Sequence, residues 1–230
     1  AEDRPRIEKG DEPRKPIVIL SEEHCSALTK AAIADQDGRA WLFVAFGLNT
    51  AMRHSEIVRV RYDQIDFEHR RIYIPEAKAG EREQPITPSL ADALSRQREM
   101  EDDPDGWVFP AKRVSAKGYC PSMRLAFQRS VIRADLNPAK VTPHVMRHTA
   151  ITRLVKAGAD IPTIQKISGH KTLAMVMRYV HIHGQHIDTA IAALDTGNIA
   201  AITPKLHKSG ESQTSPAEPG TTIFREKSAS

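Results

Sequence analysis

Two cysteines, Cys25 and Cys120, are all that 230 residues carry. That is too few for a disulfide framework and fits a reducing compartment. No apolar run approaches the roughly 20 residues that a helix needs to cross a bilayer, so a membrane partner is not expected. The opening, AEDRPRIEKGDEPRKP, is charged and rich in proline, which is not the make-up of a signal peptide. Internal repeats are lacking too. Acidic residues are scarce in one half only. Residues 1–110 hold 16 Lys and Arg against 22 Asp and Glu, a net of −6, while residues 111–230 hold 17 against 7, a net of +10. A positive half beside a negative one is the layout of a nucleic-acid face.

What is present reads mainly as helix. Residues 1–16 have no periodicity and read as a linker. Ser21 is an N-cap followed by Glu22 and Glu23, which starts a helix running to about Ala34. Asp35–Gly38 breaks it, and RAWLFVAFGLNT follows as a helix buried on most sides. Thr50–Arg53 is a turn into the next helix. Residues 64–87 change period: Ile65/Phe67 and Ile72/Ile74 alternate between polar turns at 68–70 and 79–81, giving three short antiparallel strands. Thr87 and Pro88 start a helix to about Glu101. Another opens at Pro121–Met123 and runs to about Ala134, and a last short one spans Asp188–Leu194. Residues 197–230, rich in Ser, Thr, Pro, Gly and Lys, read as a mobile tail.

The densest chemistry lies in Thr142–His181. Thr142 and Pro143 suit an N-cap and first helical position. His144 and Arg147 then share one face, about 5–6 Å apart at Cβ, in a first turn whose free N–H groups already favour an anion. Arg147 brings a planar fork of donors that matches phosphate oxygens. The helix runs to about Lys156. A second ends at Ser168-Gly169, placing His170 just beyond its C-terminus, and a third, KTLAMVMRY, carries Tyr179.

HVMRH, then SGH, then MRYVH together resemble the C-terminal signature of the tyrosine recombinases, or phage-type integrases: H-x-x-R, a Gly-His about twenty residues on, and a tyrosine about nine later. Upstream, TAMRHSE resembles the family's T-G-x-R-x-S-E, with Ala51 where glycine is usual. The resemblance covers residues 17–194. It implies an α+β fold, mainly α with a small antiparallel three-stranded sheet. It also implies a catalytic set of Arg53, Lys78, His144, Arg147, His170 and Tyr179, with Glu56 bracing the first arginine.

In that reading the arginines and histidines neutralise the phosphate as the pentacovalent state forms. Tyr179 attacks to give a phosphotyrosine, His144 helps take its proton, and Lys78 protonates the leaving oxygen. No cofactor and no metal are implied. His181, His183 and His186 lack partners for a ligand set, and HVMRH lacks the glutamate of the HExxH zinc motif. Lys112, Arg113, Lys117, Arg124 and Arg129 are candidate DNA contacts.

The domain reading is a 1–16 linker from a missing N-terminal DNA-binding domain, a 17–196 catalytic domain and a 197–230 tail, in which Ile199–Ile202 could dock on a neighbour. The partners implied are double-stranded DNA with specific recombination sites and a homotetramer that exchanges strands through a Holliday junction. The setting would be cytoplasmic, at the nucleoid, prokaryotic or phage-encoded. A type IB topoisomerase, a telomere resolvase and a catalytically silent DNA-binding module are the alternatives. The compact layout favours the recombinase, and the intact set of six argues against a silent module.

Overall fold

The computed structural model describes residues 16–77, 80–113 and 116–180, all within one unit, Ala1–Gly184. The elements are α1 (Glu22–Ile33), α2 (Ala40–Thr50), α3 (His54–Ile57), β1 (Ile65–Asp66), β2 (Arg71–Ile74), β3 (Arg82–Pro85), α4 (Pro88–Arg98), α5 (Arg124–Arg133), α6 (Pro143–Lys156), α7 (Ile161–Ser168) and α8 (Leu173–Val180). The expected mainly helical fold with a three-stranded antiparallel sheet, ordered β1-β2-β3, is what is found. The linker (bar Pro16), the helix expected at 188–194, the tail with Ile199–Ile202, and His181, His183 and His186 lie outside the described residues, as does Lys78.

α2 is the hub. It is apolar on every side and packs against α1, α4, α5 and α6. Phe43 meets Phe109, Phe127 and His54 edge-on, with ring centroids 6.3, 6.1 and 5.1 Å away. Burying each such side chain stabilises the fold by roughly 1.5–3 kcal/mol. Gly47 lets α6 come close: a Cβ there would lie 2.5 Å from Met146 Cε. With Met146 held under α2, its neighbour Arg147 is fixed as well.

Local chemistry starts and ends most helices. Ser21 Oγ accepts from the His24 N–H at 3.2 Å, and Asp160 Oδ1 accepts from the Thr163 N–H at 2.9 Å. Thr142 precedes α6 in extended conformation but makes no side-chain cap, so Pro143 carries that start without it. α5 begins at Arg124, three residues later than its proline implied. Before it, Cys120 N donates to Phe109 O at 2.7 Å and Met123 N to His54 Nε2 at 3.2 Å. Those tertiary bonds take the backbone that a longer helix would have used.

The strands pair with Ile72 opposite both Ile65 and Gln84, and Ile74 opposite Arg82. Cross-strand partners point to the same face, so Arg82 and Gln84 join the side on which Ile72 and Ile74 are buried. A second, smaller core forms where α6, α7 and α8 meet: Ala51, Ala150, Ile151, Val155, Ile164, Val176 and Tyr179.

Candidate active site

α2 ends at Ala51, a non-glycine residue in left-handed conformation (φ 57°). Holding a side chain there costs roughly 1–2 kcal/mol. The turn usual for glycine is thus retained with alanine, and the Ala51 carbonyl accepts from an Arg147 Nη at 2.6 Å. Two residues on, Arg53 opens α3. Its backbone N–H and one Nη both donate to the Glu56 carboxylate, at 2.9 and 3.0 Å, and its other Nη reaches the Gly169 carbonyl at 2.8 Å. The brace expected between Arg53 and Glu56 is therefore present as a bonded pair.

Arg53, His144, Arg147, His148, His170, Lys171, Met175, Arg178 and Tyr179 line one cavity of about 320 Å³. Arg53 and Arg147, 94 residues apart in sequence, share it. None of these residues is acidic; Glu56, the carboxylate bonded to Arg53, is not among them. An interior with only cationic and neutral groups suits an anion. Arg147 is buried, and that burial with the nearby Arg53 charge brings its pKa down to about 10, so it stays charged at neutral pH.

The histidines differ in role. His144 is exposed at the cavity. His148, one turn further along the same helix face, has Nδ1 2.7 Å from the Tyr179 hydroxyl. His170 has Nδ1 2.8 Å from Ser168 Oγ, which also lies 2.7 Å from the Ile164 carbonyl. The serine has one proton for two acceptors. When it goes to Ile164, His170 keeps its proton on Nδ1; when it goes to Nδ1, Nε2 carries the proton and can donate to an anion.

Burial first, then the arginines nearby (Arg147 and Arg178 beside His148; Arg147 and Arg53 beside His170), brings both histidines down to about 4. Burial raises the Tyr179 phenol, against Arg147 and Arg178, which lower it. At rest His148 and His170 are thus neutral and the tyrosine protonated. A stability prediction follows. An unfolded histidine titrates near 6.5, so between about pH 6.5 and 4 the unfolded chain binds more protons and stability rises with pH. The melting temperature should fall as pH drops from 7 to 5, and a doubly substituted His148→Gln/His170→Gln protein should lose most of that slope.

Arg82 is a site residue that the motif reading did not contain. One of its Nη atoms donates to Glu56 at 3.0 Å, the other to the Ile167 carbonyl at 3.1 Å and to Gln84. It ties the β2–β3 hairpin to the Arg53 brace and to the end of α7. Gly169 lies over this pair: at φ 64°, its missing Cβ would meet Arg82 Nε at 2.9 Å and Arg53 Nη1 at 3.4 Å. The glycine before His170 is needed for both reasons.

Among the candidate DNA contacts, Arg129 forks onto Asp35 at 2.7 and 3.1 Å, and Lys112 pairs with Asp37 at 2.8 Å. Each of the two is paired with an aspartate of the fold, and Lys112 is itself exposed. Arg113, Lys117 and Arg124 are exposed. Among the described residues no helix is long and apolar enough to cross a membrane.

A small helical domain with a phenol set into a cation-lined hollow is an anion-handling fold. The phage integrase family profile matches residues 19–186, and the chain belongs to this family, the tyrosine recombinases. An integrase/recombinase of Escherichia coli is 28% identical over 211 residues, matching 74% of this chain and 60% of its own length. Tyrosine recombinase XerD of Brucella suis is 30% identical over 142 residues, 58% of this chain and 45% of that protein. The chain therefore spans roughly half of these relatives' lengths. Among solved structures, the catalytic domain of bacteriophage HP1 integrase superposes with a TM-score of 0.61 at 25% identity, over 80% of this chain and 98% of that one. The Tn1549 transposon integrase, solved with transposon right end DNA, gives 0.67 at 22%, over 83% and 68%.

Proposed function

We propose that residues 17–196 are the strand-cutting and rejoining domain of a site-specific DNA recombinase acting through a covalent 3′-phosphotyrosine. One observation carries this reading: Tyr179 lines the same cavity as Arg53 and Arg147. A phosphodiester seated there receives a guanidinium fork from each end of the domain, and charge on its non-bridging oxygens is met as the fifth bond to phosphorus forms. Lys171 and Arg178 add cationic charge at the rim. His144 and His170 donate to the phosphate oxygens, His170 through Nε2 when the Ser168 hydroxyl donates its hydrogen bond to Nδ1.

The Tyr179 oxygen forms the bond to phosphorus as the 5′-oxygen leaves, and the energy kept in the phosphotyrosine lets a second 5′-hydroxyl reverse the step. Lys78, which falls between β2 and β3 in the sequence, protonates the leaving oxygen. Because side chains supply the charge, the reaction is metal-independent. Exchange between two paired duplexes then proceeds through a Holliday junction, with four protomers on two sites and with duplex contacts from Arg113, Lys117 and Arg124.

The test is a nicked duplex built from the DNA flanking the coding region, which traps the intermediate because the short cleaved strand diffuses away. A protein–DNA adduct should survive denaturant, form equally well in EDTA, and map to the peptide containing Tyr179. An adduct on another residue, or none on any flanking segment, overturns the reading.

A further inference from the structure

Tyr179 is nearly all buried, at 4% exposure, so its hydroxyl must place its proton on something inside the protein or be left unpaired at a cost of about 1–3 kcal/mol. The partner is His148, at 2.7 Å from Nδ1. An imidazole nitrogen is a better acceptor than a phenolic oxygen, and a phenol is a better donor than a neutral imidazole N–H. The bond therefore runs from the Tyr179 O–H to the Nδ1 lone pair, with the His148 proton on Nε2. His144, to which the motif had given the proton, is exposed at the rim, and among the described residues the bond recorded for the phenol is to His148.

Resting on the strand-transfer reading above, we propose that His148 is the catalytic base of the cleavage step: it holds the Tyr179 hydroxyl in the resting protein and takes its proton when a phosphodiester is seated. The step balances. The O–H bond of Tyr179 breaks and its proton passes to His148 Nδ1. The freed electron pair forms the O–P bond. The P–O5′ bond breaks, its pair leaving with the 5′-oxygen, which Lys78 protonates. On reversal the 5′-hydroxyl gives its proton back to Lys78 and bonds to phosphorus, the O–P bond to Tyr179 breaks, and His148 returns its proton to the phenol.

The surroundings make this base conditional on substrate. The titratable and charged groups that share the cavity with His148 are His144 and Arg147 on α6, His170 and Lys171 in the turn before α8, Arg178 and Tyr179 on α8, and Arg53 just before α3. Burial first, and then the charges of Arg147 and Arg178, hold the imidazole neutral and a poor proton acceptor. A phosphodiester brings a negative charge to the same cations, offsets them and favours the imidazolium. The phenol is thus activated only in the presence of its target, which keeps a reactive phenolate out of the free protein.

The experiment compares single-turnover adduct formation on the nicked flanking-DNA duplex by the unaltered protein, His148→Ala, His148→Gln and His144→Ala, with DNA binding by gel shift and melting temperature measured alongside. General-base catalysis typically contributes 10²–10⁴-fold, so His148→Ala should slow adduct formation by about that factor at unchanged binding. Added imidazole should restore part of the rate. His148→Gln, whose amide oxygen can accept the phenol's hydrogen bond but not its proton, should stay slow and unrescued.

The rising limb of the unaltered protein's pH–rate profile should be replaced in His148→Ala by a rate that tracks hydroxide. A His148→Gln rate within about threefold of the unaltered protein would reduce His148 to a positioning group and overturn the proposal. So would imidazole rescue confined to His144→Ala. If His148→Ala fails to fold, His148→Gln and the pH profile decide alone. Failure of the unaltered protein to form any adduct overturns the strand-transfer reading itself, a different outcome from an adduct that His148 variants form at full rate.

Discussion

Tyr179→Phe should bind the nicked duplex like the unaltered protein and give no covalent adduct, a loss on the order of 10⁶ in rate where nucleophile and base act as one unit. The expectation is sharp because the change removes one oxygen and little else. The ring stays in the small core with Ile151, Val155, Ile164 and Val176, so packing is retained. The phenol is uncharged at rest and contributes nothing to the cationic lining, so phosphate binding is kept. The lost hydrogen bond leaves His148 Nδ1 without its partner, but His148 is only half-buried, and water can replace the hydroxyl at well under the full cost of an orphaned group. A melting temperature within a few degrees of the unaltered protein, normal gel shifts and a blank denaturing gel are the expected set. An adduct that persists would place the nucleophile elsewhere. A large fall in melting temperature would show that the hydroxyl serves the fold more than the chemistry.

Much of this site was legible because its signals are local. Pro143 at a helix start, Gly169 at a helix end and the three-residue step from His144 to Arg147 each follow from backbone geometry within a few residues. They survive whatever the rest of the chain does. Arg53 and Glu56 are likewise three apart, so their pairing needs only one turn of helix.

The parts that were not legible depend on long-range contact. R-E-Q in β3 reads as a solvated strand, since charge usually marks an exposed face. Only the register, with Ile74 opposite Arg82 and Ile72 opposite Gln84, shows that this polar face is the buried one. What covers it is the end of α7, 85 residues away. Given that register, two buried isoleucines facing an arginine and a glutamine would have signalled a polar network in need of partners. His148 is a similar case. It stands beside Arg147 in the motif, but its bond to Tyr179 spans 31 residues and exists only because α8 folds back onto α6. The charge asymmetry was read from formal charges, and Asp35 and Asp37 change its meaning. They lie in the negative half of the sequence yet pair with Arg129 and Lys112 from the positive half, so part of the basic charge has an acidic neighbour on the folded surface.

Glu56→Ala should be the most damaging single change outside the cavity. The carboxylate is 4% exposed and meets Arg53 through backbone and side chain and Arg82 through one Nη. Burial pushes the Glu56 pKa up, yet the Arg53 N–H and the Arg82 and Arg53 charges outweigh it and hold the group below the usual carboxylate range. Its removal leaves two partly buried guanidiniums without their counter-charge, next to a third, Arg147. Breaking a buried ion pair from one side typically costs about 3–5 kcal/mol, a large share of a domain's stability of about 5–15 kcal/mol. Glu56→Gln should recover only part of this, because its NH2 group would face guanidinium donors in place of an acceptor. Catalysis should fall as well, since Arg53 would keep only the Gly169 carbonyl among the partners described for it, and losing one preorganised donor costs about 10²–10³ in rate. Chemical denaturation and single-turnover cleavage on the same samples separate the two effects. If Glu56→Gln restores stability but not rate, the brace serves chiefly to aim Arg53. If it restores both, the shape of the side chain suffices and its charge contributes little.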